Sequence, residues 1–170
     1  ALVLTISIIL STFTGLFASA GSQDVWDGTT AEGFASGTGT AGDPYIIENG
    51  AQLRYLISLG DATAGKFYKL AADIYLNDTT VANWYTQSGL NEWPLLSATD
   101  ATTAFKGTFY GDGHIVHGLY VEEVKAHSNN DARDVAEAAG LFPVLAGGAT
   151  IDAVGVENAY VKITNACTDA

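Results

Sequence analysis

Phe105-Lys-Gly-Thr-Phe-Tyr-Gly-Asp-Gly-His-Ile-Val-His-Gly-Leu-Tyr-Val121 is the stretch that decides the fold. It holds two short extended runs joined by a Gly-Asp-Gly corner. In extended chain, residues an even number apart share a face, so Phe105 goes with Phe109, and Ile115 with Leu119 and Val121. Gly107, Gly111, Gly113 and Gly118 mark places for the backbone to bend. A variation follows between Ala139 and Val161. There Leu141 to Leu145 is one apolar run, Gly147-Gly148 is a corner, and Ile151, Val154, Val156 and Val161 supply the next inward face. Strands this short cannot each bury an apolar side alone. Recurring with glycine corners, they predict an all-β stack of coils, a β-solenoid. Phe109, Ile115, Leu141 and Ile151 then share one interior, and neighbouring coils run the same way.

The pattern Phe-x-Gly-Thr-Phe-x-Gly-x-Gly-His-Ile-Val-x-Gly-Leu, followed by Ala-Gly-Leu-Phe and Ala-Thr-Ile, resembles the GLUG-type repeat region of large secreted or wall-attached bacterial surface proteins. Upstream, Pro-Tyr-Ile-Ile-x-Asn-x-x-Gln-Leu-x-Tyr-Leu and Phe-Tyr-Lys-Leu-x-x-Asp-Ile are similar to the lead-in before such repeats. The resemblance spans Asp43 to Val161. It implies a right-handed parallel β-helix and a secreted or cell-surface location. Pro143 departs from the pattern, standing where the repeat usually has a glycine. Proline cannot donate a ladder hydrogen bond, so that corner is expected to be built differently or to lie at an edge.

The chain has 170 residues, 48% of them hydrophobic, which suits one domain with a core of its own. Its formal charge is −12 with only seven basic residues, no two of them adjacent. That excludes a phosphate-backbone binder, which needs clustered Lys and Arg. An acidic surface favours solvation, cation association or basic partners. Cys167 is the single cysteine, so an intrachain disulfide is excluded.

Residues 1–20 are apolar, uncharged and closed by Ala18-Ser19-Ala20, the small-x-small ending of a cleavable signal peptide. The competing reading is a retained membrane anchor. No cysteine follows at the cut, which excludes a lipoprotein anchor there. The leader lacks a basic start and an initiator Met, as expected of a sequence that was trimmed or begins inside a longer frame. Residues 21–42 form a Gly/Ser/Thr-rich lead-in with a short strand near Val25 to Asp27, pinned to the body by Trp26 and Phe34.

Residues 43–170 are assigned to the β-helix domain. Pro44 opens a strand at Tyr45 to Ile47. Asn49 with Gln52 is a variant of the capping box. A short helix is therefore expected, with an apolar stripe of Leu53, Leu56 and Ile57 and Gly60 at its close, capping the first coil. Two strands surround Ala71 to Asp73, after which Asn77 to Asp100 reads as a long loop. Glu122 to Ala138 reads as a second excursion. Beyond Val161 no polar cap is visible, so the domain is expected to be cut short and to continue with further coils.

No His-Glu-x-x-His and no Gly-x-Ser-x-Gly occurs, and Cys167 has no neighbouring histidine. His114 and His117 are an odd number apart, so in a strand they face opposite ways and share no metal. His127 has no obvious partner. Paired-carboxylate chemistry on a polysaccharide is the enzymatic alternative, with Asp73, Asp78, Asp100, Asp112 and Asp152 as candidates, although their spacing singles out no two of them. No cofactor is implied. Calcium on Asn77 and Asp78, or on Asn129, Asn130 and Asp131, lacks any specific loop motif. Trp84, Tyr85 and Trp93 are the candidate ligand-binding residues, either a platform for stacking sugar rings or the anchors of the long loop. The chain therefore reads as a non-catalytic surface module for display and adhesion, with a glycan or extracellular protein as partner, further domains of the same chain beside it, and membrane contact only through residues 1–20.

Overall fold

Proline ahead of a β-branched pair starts the first strand, β1 (Tyr45–Ile47). Asn49 then caps α1 (Gly50–Ser58), its side-chain oxygen accepting from the Gln52 N–H at 3.0 Å. The Gln52 side chain reaches back past the cap and accepts from Glu48 N–H at 2.8 Å. The computed structural model describes residues 23–97, 100–127 and 137–167. The leader at 1–20 and the calcium candidates Asn129, Asn130 and Asp131 lie outside them. Among the described residues no helix is long and apolar enough to cross a membrane.

The strands after α1 come in successive sets. The first is β2 (Phe67–Leu70) and β3 (Ile74–Tyr75). Then come β4 (Leu96–Ser97), followed by β5 (Thr108–Tyr110), β6 (Ile115–His117) and β7 (Tyr120–His127). After β8 (Glu137–Ala138), the last set is β9 (Thr150–Asp152), β10 (Gly155–Glu157) and β11 (Tyr160–Cys167). One parallel sheet runs β1-β2-β5-β9, a second β3-β6-β10, and a third pairs β7 with β11. Val25 adds a parallel bridge beside Tyr75 in the second sheet. The chain thus visits the three sheets in the same order twice. It returns to register after 40 residues at Glu122 and Lys162. The antiparallel exceptions among the described residues are β4 with β8 and the bridges from Ser36 to Ile46 and from Thr40 to Asp43.

Register stacks like positions into columns. Tyr45, Tyr68, Phe109 and Ile151 form one, and Ile74, Val116 and Val156 another. Phe105, Phe109 and Leu141 are buried in a single cluster with Ile151 packed against it, as expected. Ile115 is not part of that cluster. Val116 is fully buried in its place. Gly118 takes a φ of +72° between β6 and β7, and this left-handed turn breaks the even-number count that linked Ile115 to Leu119 and Val121. Val156 and Val161 do sit in the inward columns, opposite the buried Val116 and Val121, yet they are exposed, Val161 by 48%.

Three further expectations need correction. β7 extends to His127, so Glu122 to His127 belongs to a strand and not to the excursion, and β11 likewise carries order past Val161 to Cys167. The helix fills the interior with Leu53, Leu56 and Ile57, whereas the free edge of β1 is covered by the lead-in. There Ala35 N–H donates to Ile46 O, and Ile46 N–H donates to Ser36 O, both at 3.0 Å. Leu141 to Leu145 is a bend rather than a strand. Pro143 lies before the bridge between Leu145 and Phe105, so no ladder donor is lost there.

Candidate functional site

The loop after β3 is held by Asn77, which is buried at the corner leading to the third sheet. Its amide donates to Asn91 O at 2.9 Å and to Gly118 O at 2.8 Å, while its oxygen accepts from Asn91 N–H at 2.7 Å. Asn91 in turn donates to the carbonyls of Trp26 and Leu76. These bonds place Trp93 inside the core. It is 1% exposed, lies edge-on to Trp26 at 5.6 Å, and donates its indole N–H to Leu141 O at 3.2 Å. Trp84 is 7% exposed and meets Tyr120 edge-on. Neither tryptophan offers a face to a ligand, which corrects the idea of a three-ring platform; both anchor the loop.

Tyr85, 37% exposed, is the outer member of the three. Its ring lies flat against Tyr160 at 4.5 Å, and Tyr160 is parallel to Tyr120 at 5.5 Å. The Tyr120 hydroxyl donates to Glu122 at 2.6 Å, and Lys162 holds the other oxygen of that carboxylate at 2.6 Å. Acceptance by Glu122, with some burial, pushes the Tyr120 hydroxyl up to about 12.

The candidate acids are mostly engaged in local structure. Asp78 and Asp100 each accept from the N–H and hydroxyl of a threonine two residues on, bonds that hold both carboxyls below the ordinary range. Asp112, at a φ of +54° in its turn, pairs with Lys69 at 2.8 Å. Asp152 ends β9, exposed. Asp73 joins two coils: its Oδ1 accepts from Ile115 N–H at 3.0 Å and lies 3.1 Å from His114 Nδ1. His117 points elsewhere, stacked on Tyr75 at 4.6 Å and 3.7 Å from Glu157. The two histidines serve different neighbours. Asn77 is consumed by its hydrogen bonds, and among the described residues no three His, Cys, Asp or Glu side chains gather to hold a metal.

Asp73 supports a measurable pH effect. The Ile115 N–H holds its carboxyl below the ordinary value, against the opposing effect of burial and with lesser help from His114. A carboxyl depressed in the folded state stabilises fully above its unfolded value, near 3.9, and that contribution fades as pH falls through the folded value. Asp73→Ala should therefore cost about 0.5–1.5 kcal/mol at pH 7. In urea titrations the gap between the two proteins should narrow as pH falls below about 3.9; a gap independent of pH would assign the loss to packing.

A cleft opens at the other end of the stack. It has a volume of about 380 Å³ and is walled by Phe34, Tyr45, Tyr55, Leu59, Lys66 and Tyr68. Phe34 is its hub, 4.8 Å from Tyr45, 5.1 Å from Tyr55 and 5.4 Å from Tyr68, at tilts of 27°, 56° and 60°. Tyr68 is fully buried at the floor. Burial, with the phenols of Tyr45 and Tyr55 close by, pushes its hydroxyl well up from the usual tyrosine value. The sequence marks Phe34 only as a pin of the lead-in and gives Tyr55 no role of its own. The six residues come from the lead-in, β1, α1 and the residue that ends it, the approach to β2 and β2 itself, and no spacing joins them.

Comparison with known proteins adds one relative. Over 135 residues, 79% of this chain, the sequence is 32% identical to a segment of Halomucin from Haloquadratum walsbyi (strain DSM 16790 / HBSQ001). That segment is about 1% of Halomucin's length. No family model matches the chain. No solved structure matches it either.

Proposed function

We propose that the chain is a β-helix module of a secreted or cell-surface protein, related to the GLUG-type repeats, whose work is display and adhesion rather than catalysis. The observation that carries this is the register: three parallel sheets visited in a fixed order, with Glu122 and Lys162 aligned 40 residues apart. A connection between parallel strands of one sheet is right-handed in about 98% of cases, which supports a right-handed coil. A stack of this kind is stiff and presents long faces with few moving parts. The surface location draws on the likeness to Halomucin, a mucin by name, and on the signal-like ending of residues 1–20. A net charge of −12 suits glycan or protein partners outside the cell and opposes nucleic acid.

Location is tested by treating intact producing cells with a membrane-impermeant biotin reagent and then fractionating them. Labelled protein on whole cells, or protein in the medium, is the expected result. Unlabelled protein confined to the cytosol would sink the reading.

A further inference from the structure

The aromatic cleft has two features that packing alone does not account for. Tyr68 is fully buried, yet among the described residues its hydroxyl makes no hydrogen bond. A buried hydroxyl without a partner is costly, and native folds rarely leave one unless something else supplies the bond. The second feature is Lys66. Lys69, Lys106 and Lys162 each have a carboxylate within 4 Å, namely Asp112, Asp61 and Glu122. Lys66 has no such partner among the described residues, although the chain carries 19 acidic side chains. An unpaired cation on the wall of an aromatic cleft, in so acidic a protein, points to an anionic occupant.

The geometry narrows the class further. The rings around Phe34 are tilted by 27° to 60°, so they form no parallel-sided slot for a flat aromatic acid. A puckered ring with apolar C–H faces and hydroxyls at its edge fits better. Its faces lie on Tyr45 and Tyr55, and its hydroxyls meet the phenols. At about 380 Å³, open to solvent, the space admits one or two such rings. We infer that this cleft binds a carboxylate-bearing sugar, a uronate unit of a glycan, with Lys66 on the carboxylate, Tyr45 and Tyr55 against the ring, and Tyr68 hydrogen-bonded to a ring hydroxyl. The inference rests on the reading of the chain as an extracellular adhesive module.

The test is an amide-shift NMR titration of the chain with trigalacturonate and, separately, with its neutral methyl ester. Shifts for the acid should cluster at residues 33–37, Tyr45, Tyr55 and Lys66. Lys66→Met should weaken binding of the acid about fivefold and leave the ester unaffected, the worth of one exposed ion pair. Tyr68→Phe should weaken acid and ester alike while the melting temperature holds or rises, because it removes an unpartnered buried hydroxyl. A purely structural Tyr68 would leave binding unmoved, and that result overturns its role. Equal binding of acid and ester in the parent chain overturns the acidic class. Shifts centred on Tyr85 and Tyr160 overturn the cleft but keep a glycan-binding module. No binding by either sugar, with the fold intact, overturns the cleft outright; surface labelling then judges the module reading separately.

Discussion

Trp93→Ala is expected to destabilise the chain by about 3–5 kcal/mol, the usual loss when a large buried aromatic is truncated. Trp93 is 1% exposed and wedged where the loop after β3 re-enters the stack. Its backbone N–H donates to Tyr120 O at 2.7 Å and its indole N–H to Leu141 O at 3.2 Å. Trp93 therefore ties the start of β7, through its backbone, to the bend at Leu141, through its indole. Alanine would leave a cavity bordered by Trp26 and strand the Leu141 carbonyl without its donor. Urea unfolding should show the midpoint falling sharply with little change in slope. Tyr85→Ala, which removes a half-exposed ring from the face of Tyr160, should cost about 1 kcal/mol. If the two substitutions cost the same, Trp93 is not the wedge described. Lost ligand binding in Trp93→Ala would report unfolding rather than a missing sugar contact.

Much of this architecture is legible from short-range pattern. Pro44, Asn49 with Gln52, and the pairs of short apolar runs locate β1, α1, β2, β3, β5 and β9 because each signal acts within a few residues. Parity across a corner is not legible in the same way. Whether Ile115 or Val116 turns inward depends on the φ of Gly118, and a glycine adopts either hand at little cost. Long-range register is hidden for a similar reason. The polar run from Glu122 to His127 looks like loop until it is laid beside Tyr160 to Cys167, whereupon Lys162 meets Glu122 and Tyr160 meets Tyr120. The loop aromatics illustrate a third limit. An aromatic side chain in a polar segment signals both an anchor and a binding surface, and only burial separates the two. Conversely, the cleft around Phe34 draws single residues from several segments, each of which reads alone as ordinary packing.

Gly111→Ala should separate the third coil from the second at a cost of about 2–4 kcal/mol at that junction. Gly111 donates its N–H to Asp152 O at 2.7 Å, Gly113 donates to Ala153 O at 2.8 Å, and Gly155 donates back to His114 O at 3.0 Å, so the two corners are laced backbone to backbone. A Cβ at position 111 would lie 2.4 Å from Ala153 O and 2.5 Å from Val154 Cα. Those are main-chain atoms and cannot rotate aside as a flexible side chain would, so the corner at Ala153 must move and its hydrogen bonds stretch. In the sheets β1-β2-β5-β9 and β3-β6-β10 each strand pairs only with the one before and the one after it, so the damage should stay at the junction where it is made. Hydrogen exchange should accordingly speed up at the amides of β9, β10 and β11, while β1, α1 and β2 keep the protection of the parent chain. Gly113→Ala is the control. Nothing lies within 4 Å of a Cβ there, but φ is +85°, so it should carry only the local penalty of a left-handed alanine, about 1–2 kcal/mol, without loosening the third coil. Uniform loss of protection from β1 to β11 in Gly111→Ala would mean that the chain unfolds as one cooperative unit, and coupling between successive coils would no longer describe it.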